Sequence, residues 1–215
     1  MPPKGFPLTF GEVSLLKWWL KEGHERDLRL SQVEAAEDVK QLLLKEYGID
    51  LNPKPFVETV NIDQLPDAVR TNLEKQGWKV NRLAQTNELL DIKPIDPSKV
   101  NASTVQVLLE AKEHITWLDL SGASIENQDL QVISQLTNLS RLRIDNTNIS
   151  DDGIKHLTNL QYLESLNLYG SKITDDSLDY LKQIPSLKKV FLWKTEVSEM
   201  GKQSLQEAND DLTVN

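Results

Sequence analysis

The chain has 215 residues, 39% of them hydrophobic and 27% charged, with a net charge of −9 and no cysteine. That length makes one large domain or two small ones whose core needs no staple, and the missing thiols exclude a disulfide scaffold, a thiolate metal site and haem held through C-x-x-C-H. The acidic balance argues against nucleic acid and anionic membrane as partners, and no apolar stretch reaches the ~20 residues of a membrane-spanning helix. The opening MPPKGFPLTF lacks the basic segment and apolar run of a signal peptide. Thr9 and Glu12 make a capping box ahead of Val13, Leu16 and Leu20, which predicts a helix to about Glu22, stopped by Gly23. Ser31 and Glu34 make a second box, opening a helix with apolar positions Val33, Ala36, Val39, Leu43 and Tyr47 that ends near Gly48. Asn52 to Pro55, with two prolines, reads as a linker.

Beyond the linker, Phe56 to Ile62 alternates like a strand. Pro66 as first helical residue and Gly77 as stop bracket a helix over 66–76. Trp78–Leu83 and Leu89–Lys93 read as short strands joined by a polar turn, with Pro94 ending the second. Ser103 caps a helix over 103–112 that carries Val105, Leu108 and Leu109.

From Ile115 the chain repeats every 24 residues without a slip. Ile115, Leu139, Leu163 and Leu187 open the units; Leu118, Leu142, Leu166 and Val190 follow, then Leu120, Ile144, Leu168 and Leu192, then Ile125, Ile149, Ile173 and Val197. The spacing then changes to threes, as in Leu130, Ile133, Leu136 and in Leu178, Leu181, Ile184. Alternation is the period of a strand with one buried face, and the spacing of threes suits a short helical or 3₁₀ segment. Stacked units then form a parallel sheet on one side and helices on the other. Asp151, Asp152, Asp175 and Asp176 recur at one repeat position before the helices, so they read as N-cap and first-turn residues rather than a calcium or acid–base site.

The pattern L-x-x-L-x-L-x-x-T-x-I-x-D over residues 115 to about 205 resembles the leucine-rich repeat. The resemblance implies an α/β solenoid, of a shorter bacterial type in a weakly curved arc. Where that family usually carries asparagine, this chain has Ala123, Thr147, Ser171 and Thr195, so hydroxyls must serve the turn backbone. Met200 to Asn215 is expected to be a polar cap, and residues 56–112 a cap on the other apolar end. The resulting organisation is a helical segment over 1–50, a small α+β cap over 51–114 and the repeat domain over 115–215.

Alternation also fixes the outward columns of the sheet. They read Trp117, Arg141, Ser165, Lys189; then Asp119, Arg143, Asn167, Phe191; then Ser121, Asp145, Tyr169, Trp193. With parallel neighbours about 4.8 Å apart, Asp119 can pair with Arg143. Tyr169, Phe191 and Trp193 would gather at the C-terminal end of the sheet, where they either bind a partner or shield the terminal edge. The candidate partner-binding residues are Trp117, Arg141, Arg143, Asn167, Tyr169, Lys189, Phe191 and Trp193. No segment carries a catalytic constellation or phosphate loop, and His24, His114 and His156 lack a metal-ligand companion at i+3 or i+4. No enzyme activity, metal or cofactor is expected.

The string MPPKGFPLTFGEVSLLKWWLKEGH resembles the C-terminal end of a bacterial c-type cytochrome domain. Together with Ile115 to Leu120, Leu166 to Gly170 and Phe191 to Thr195, it is similar to an envelope architecture of Bacteroidetes and Planctomycetes. In that architecture a membrane-anchored cytochrome domain precedes leucine-rich repeats. Met1 matches the axial haem ligand of that family by position, but without C-x-x-C-H this chain would be the haem-less part. The resemblance implies a periplasmic or envelope location and contact with a cytochrome domain through Trp18 and Trp19. Without that surface, Leu15, Leu16, Trp18 and Trp19 should pack on the second helix or form an exposed apolar patch. The function expected is a non-enzymatic protein-interaction module. An intracellular adaptor or effector, and a module that orients an electron-transfer domain, are the alternatives.

Overall fold

In the computed structural model, which describes residues 9–21, 35–49, 51, 56–85, 87–209 and 211–215, Thr9 and Glu12 cap each other. The Thr9 N–H donates to Glu12 Oε2 at 2.7 Å and the Glu12 N–H to Thr9 Oγ1 at 3.2 Å. Helix α1 then runs Phe10–Lys21; its expected stop, Gly23, lies outside the described residues. Helix α2 (Glu37–Tyr47) starts later than the sequence predicts, because Ala36 is extended, with φ −64° and ψ 154°. Glu37 and Asp38 supply the acidic first turn that a helix N-terminus favours. Ala35 rather than Ala36 is buried, while Ser31 and Glu34 lie outside the described residues. At the other end Gly48 is left-handed, and the Gly48 and Ile49 N–H groups donate to the Leu44 and Leu43 carbonyls. Leu15, Trp18 and Leu51 pack against Ala35, Val39 and Leu43, while Leu16 and Leu20 stay exposed. Both expectations for the tryptophan helix are thus met in part: one side packs and the other remains an apolar face.

These elements lie in the first of two compact units, Met1–Glu58; the second is Thr59–Asn215. The strand expected over Phe56 to Ile62 is not formed. Phe56–Thr59 is one helical turn, α3, and residues 60–65 have no regular structure. Phe56 and Val60 are four apart as well as alternating, so the same apolar set also fits a helical turn. Helix α4 (Asp67–Lys75) begins one residue after Pro66, and Gly77 follows it at φ 89°. Strands β1 (Trp78–Arg82) and β2 (Leu90–Pro94) pair antiparallel, with Val80 opposite Ile92. Helix α5 (Ala102–Val107) is capped by Asn101 and not by Ser103. Asn101 Oδ1 accepts from the Ser103 and Thr104 N–H groups, and Thr104 Oγ1 accepts from the Asn101 N–H at 2.9 Å. Ser103 with Gln106 has the spacing of a capping box, but the Asn101 side chain takes the Ser103 and Thr104 N–H groups and places Ser103 inside the first turn.

The repeat strands are β3 (Ile115–Asp119), β4 (Arg141–Arg143), β5 (Ser165–Asn167), β6 (Lys189–Phe191) and β7 (Thr213–Val214). All seven strands form one sheet in chain order, parallel from β2 onward. Trp117 pairs with Arg141, Arg141 with Ser165, Ser165 with Lys189 and Lys189 with Thr213, each 24 residues further along. Behind the strands lie α6 (Asp129–Ile133), α7 (Asp151–Ile154), α8 (Leu178–Lys182) and α9 (Glu199–Ala208), with 3₁₀ turns beside α7 and α8. Leu118, Leu142, Leu166 and Val190 are almost fully buried, each side chain stabilising by about 1.5–3 kcal/mol relative to exposure. Trp78, Leu90, Ile92, Val105 and Leu108 share that core, so the segment before the repeats covers their first unit and extends their sheet. Met200 to Asn215 is more than the expected polar cover: it adds α9 and β7, with Leu205 and Leu212 buried.

Two backbone devices recur with the strands. The residue that ends each turn is left-handed: Gly122, Asn146, Gly170 and Lys194, with φ of 68°, 55°, 67° and 56°. Its N–H continues the ladder, from Gly122 to Asp145 O, from Asn146 to Tyr169 O and from Gly170 to Trp193 O. The hydroxyls at the asparagine position act within their own turns. Thr147, Ser171 and Thr195 donate to the carbonyls of Ile144, Leu168 and Leu192, each at 2.6 Å.

The paired aspartates stand in the first turns, as expected, but they do not cap them. Asp151 and Asp175 accept from the following unit, at Thr174 and Ser198, rather than from their own helices. Asp152 pairs with Lys155 at 3.2 Å. The N-cap oxygens come from Thr174 and Ser198, which accept from Asp176 N–H and Gly201 N–H. A carboxylate at the first helical position sits too far round the turn to cap it, but lies within reach of the next unit's cap.

Candidate functional site: the strand face

The register of β3–β6 sets the outward side chains in the three columns. At the centre is Asp145, which alternation places outward but whose neighbours bury it to 7% exposure. Its Oδ1 accepts from Ser121 Oγ at 2.7 Å, Asn167 Nδ2 at 3.0 Å and Arg143 at 3.3 Å, and its Oδ2 accepts from Asn146 Nδ2 at 3.2 Å. A carboxylate with this many donors is satisfied without water. Arg143 also pairs with Asp119 at 3.2 Å, the contact expected from the strand spacing. Asn167 Oδ1 accepts from the Tyr169 N–H at 3.0 Å. Asn167 and Arg143 are therefore held by the protein itself.

The flanks are different. The Arg141 guanidinium lies 4.1 Å from the centroid of the Trp117 ring, a stacked cation–π pair that keeps the hydrogen-bonding edge of the fork available. The Lys194 ammonium stands 5.1 Å over Tyr169, and Lys202 stands 6.0 Å over Trp193. Hydrogen bonding to Tyr169 first, and charge interaction with it second, raise the pKa of Lys194 above the ordinary lysine value. Tyr169 and Phe191 are half-buried, whereas Trp193 is 64% exposed. Lys188 is paired with Glu164 at 2.6 Å, whereas Arg141, Lys189 and Lys194 make no ion pair among the described residues.

Trp117, Arg141, Arg143, Asn167, Tyr169, Lys189, Phe191 and Trp193 thus share one face of one sheet, as a fixed polar centre with aromatic and cationic margins. Alternation does not reveal Lys194, which is not on a strand, or Lys202, which is on α9. Position 194 is legible only by carrying Gly122, Asn146 and Gly170 forward by one more repeat. Among the described residues no group of three or more His, Asp or Glu side chains is placed to hold a metal ion. No described helix is long and apolar enough to cross a membrane. Met1 lies outside the described residues.

No protein-family model and no curated protein matches the chain. Among solved structures, 51% of the chain aligns with 30% of an internalin of Listeria monocytogenes, at 19% identity and a TM-score of 0.41. The same share aligns with 33% of a leucine-rich-repeat protein of Leptospira interrogans, at 15% identity and a TM-score of 0.38. The aligned part spans a third or less of the length of each of those two chains.

Proposed function

We propose that this chain is a protein-interaction module without enzymatic activity, a leucine-rich-repeat solenoid of 24-residue units that binds a protein partner through its strand face. Trp117, Tyr169, Phe191 and Trp193 supply apolar contact; Arg141 and Lys189 select, beside the fixed polar centre of Arg143 and Asn167. The observation that carries this reading is Trp193, a large aromatic left 64% exposed on the same face as the half-buried Tyr169 and Phe191. Exposed aromatics beside arginine and lysine make the buried centres of interfaces, and loops and strands on a rigid scaffold display them without loss of order on binding.

The bacterial envelope setting belongs to the same proposal. It is supported by the resemblance of residues 1–24 to the end of a c-type cytochrome domain; Trp18 packs on Ala35, Val39 and Leu43 of the chain itself, so Trp19 is the tryptophan proposed to face that domain. The test is a photo-crosslinking benzoyl-phenylalanine in place of Ser165, on the strand face, or of Gln183, at the end of α8. Each protein is exposed to an envelope extract of the bacterium that makes it. A discrete adduct from position 165, lost when Tyr169, Phe191 and Trp193 are all changed to alanine at an unchanged melting temperature, is the expected result. Adducts from position 183 alone, or equally from both, would overturn the reading.

A further inference from the structure

The strand face sorts its charges. Its two central carboxylates, Asp119 and Asp145, share a single cation, Arg143. Asp91 lies beside Trp117, two strands from Arg141. The cations left over are Arg141, Lys189 and Lys194, all exposed and all beside the aromatics, in a chain whose net charge is −9. A neutral partner would leave this surplus uncompensated, and a basic one would be repelled by it.

We propose that the partner docks an acidic polypeptide segment across β4–β6, with carboxylates on Arg141 and Lys189 and an apolar side chain against Phe191 and Trp193. This rests on the strand-face reading above. Arg141 and Lys189 share a column two strands apart, about 9.6 Å at the usual parallel spacing. Carboxylates seven residues apart on a helix, about 10.5 Å along its axis, match that separation. Arg141 is held in place by its stack on Trp117, so its fork is already ordered for a carboxylate and less freedom is lost on binding. Asp119 and Asp145 lie in the columns beside that of Arg141 and Lys189, and they disfavour a nucleic acid, which carries a charge on every residue. A peptide can space its charges to avoid them.

A display library of random dodecapeptides, selected on the whole chain, tests this. Enrichment of aspartate and glutamate is expected. The selected peptides should bind about tenfold or more weakly to the Arg141→Glu, Lys189→Glu double variant, and to wild type when their own glutamates become glutamines. Unchanged melting temperatures exclude unfolding as the cause. No enrichment, neutral or basic selected peptides, or tighter binding of a single-stranded oligouridylate would overturn the proposal. Neutral peptides that still require Trp193 would leave the strand-face reading standing. Acidic peptides indifferent to Arg141, Lys189 and Trp193 alike would overturn both.

Discussion

Asp175 holds Ser198 of the next unit by two hydrogen bonds, accepting from its N–H at 2.8 Å and from its Oγ at 2.7 Å. Asp151 holds Thr174 in the same way, at 2.8 and 2.9 Å. One unit earlier Asn127 makes a neutral version: its Oδ1 accepts from the Ser150 N–H at 2.9 Å and its Nδ2 donates to Ser150 Oγ at 2.8 Å. The hydroxyls of Thr174 and Ser198 also accept from their own helices, at Asp176 N–H and Gly201 N–H. The clasps at Asp151 and Asp175 therefore fix a helix start and tie it to the preceding unit, and the one at Asn127 supplies the tie alone, which is the nearest-neighbour coupling that a stacked array requires.

The clasp at Asp175 makes stability depend on acid. Ser198, through its hydroxyl first and its N–H second, lowers the Asp175 pKa below the ordinary 3.8, against a smaller opposing effect of desolvation. With the folded pKa below the unfolded one, this stabilisation is complete above the unfolded value and is lost as pH falls through the folded value. Asp175→Asn should keep the clasp in the form shown by Asn127, without the titration. The melting temperature of wild type minus that of the variant should be constant from neutral pH to about pH 5 and then decline. A difference that is flat down to about pH 2 would remove Asp175 from the acid response.

Gly201 stands against the same carboxylate. A Cβ there would run into Asp175 Oδ1 and lie 2.8 Å from Leu178 Cδ1; at the equivalent Gly153 it would lie 2.8 Å from Asn127 Oδ1. In an open helix, alanine is favoured over glycine by about 1 kcal/mol. In wild type the collision should outweigh this, so that Gly201→Ala destabilises by about 1 kcal/mol or more. In an Asp175→Ala background only Leu178 Cδ1 still crowds the added Cβ, so the same substitution should cost clearly less than in wild type. Chemical denaturation of the four proteins of this cycle reads the difference. An equal cost in both backgrounds would mean that the glycine does not serve the clasp.

The strands, their columns and the Asp119–Arg143 pair were legible because a repeat shows each position four times, and a strict 24-residue offset leaves no freedom in register. The clasps were not. Asp151 and Asp175 read as first-turn acids, and only stacking brings them to hydroxyls 23 residues ahead, a spacing that one helix cannot suggest. The burial of Asp145 was hidden likewise, since alternation gives the direction of a side chain but not the donors that Ser121, Arg143 and Asn167 gather around it. Outside the repeats each signal appears once. There Phe56 to Ile62 fitted two periods, and the cap at Asn101 was misplaced by two residues.

Lys194 is the exception in its own series. Gly122, Asn146 and Gly170 tolerate the left-handed turn, whereas a long side chain with a Cβ is strained there, by about 1–2 kcal/mol. Lys194 also supplies the cation over Tyr169, so replacing it removes a contact as well as the strain. Comparing Lys194→Gly with Lys194→Ala separates the two effects, since both variants lose the ammonium and only glycine escapes the Cβ penalty. The glycine variant should be more stable than the alanine variant by about 1 kcal/mol. Both should lose the same part of any acidic-peptide affinity that Lys194 provides. Equal stabilities would show that the turn at position 194 relaxes without strain. A glycine variant with wild-type affinity would place the ammonium outside the binding surface, leaving Arg141 and Lys189 to carry the charge.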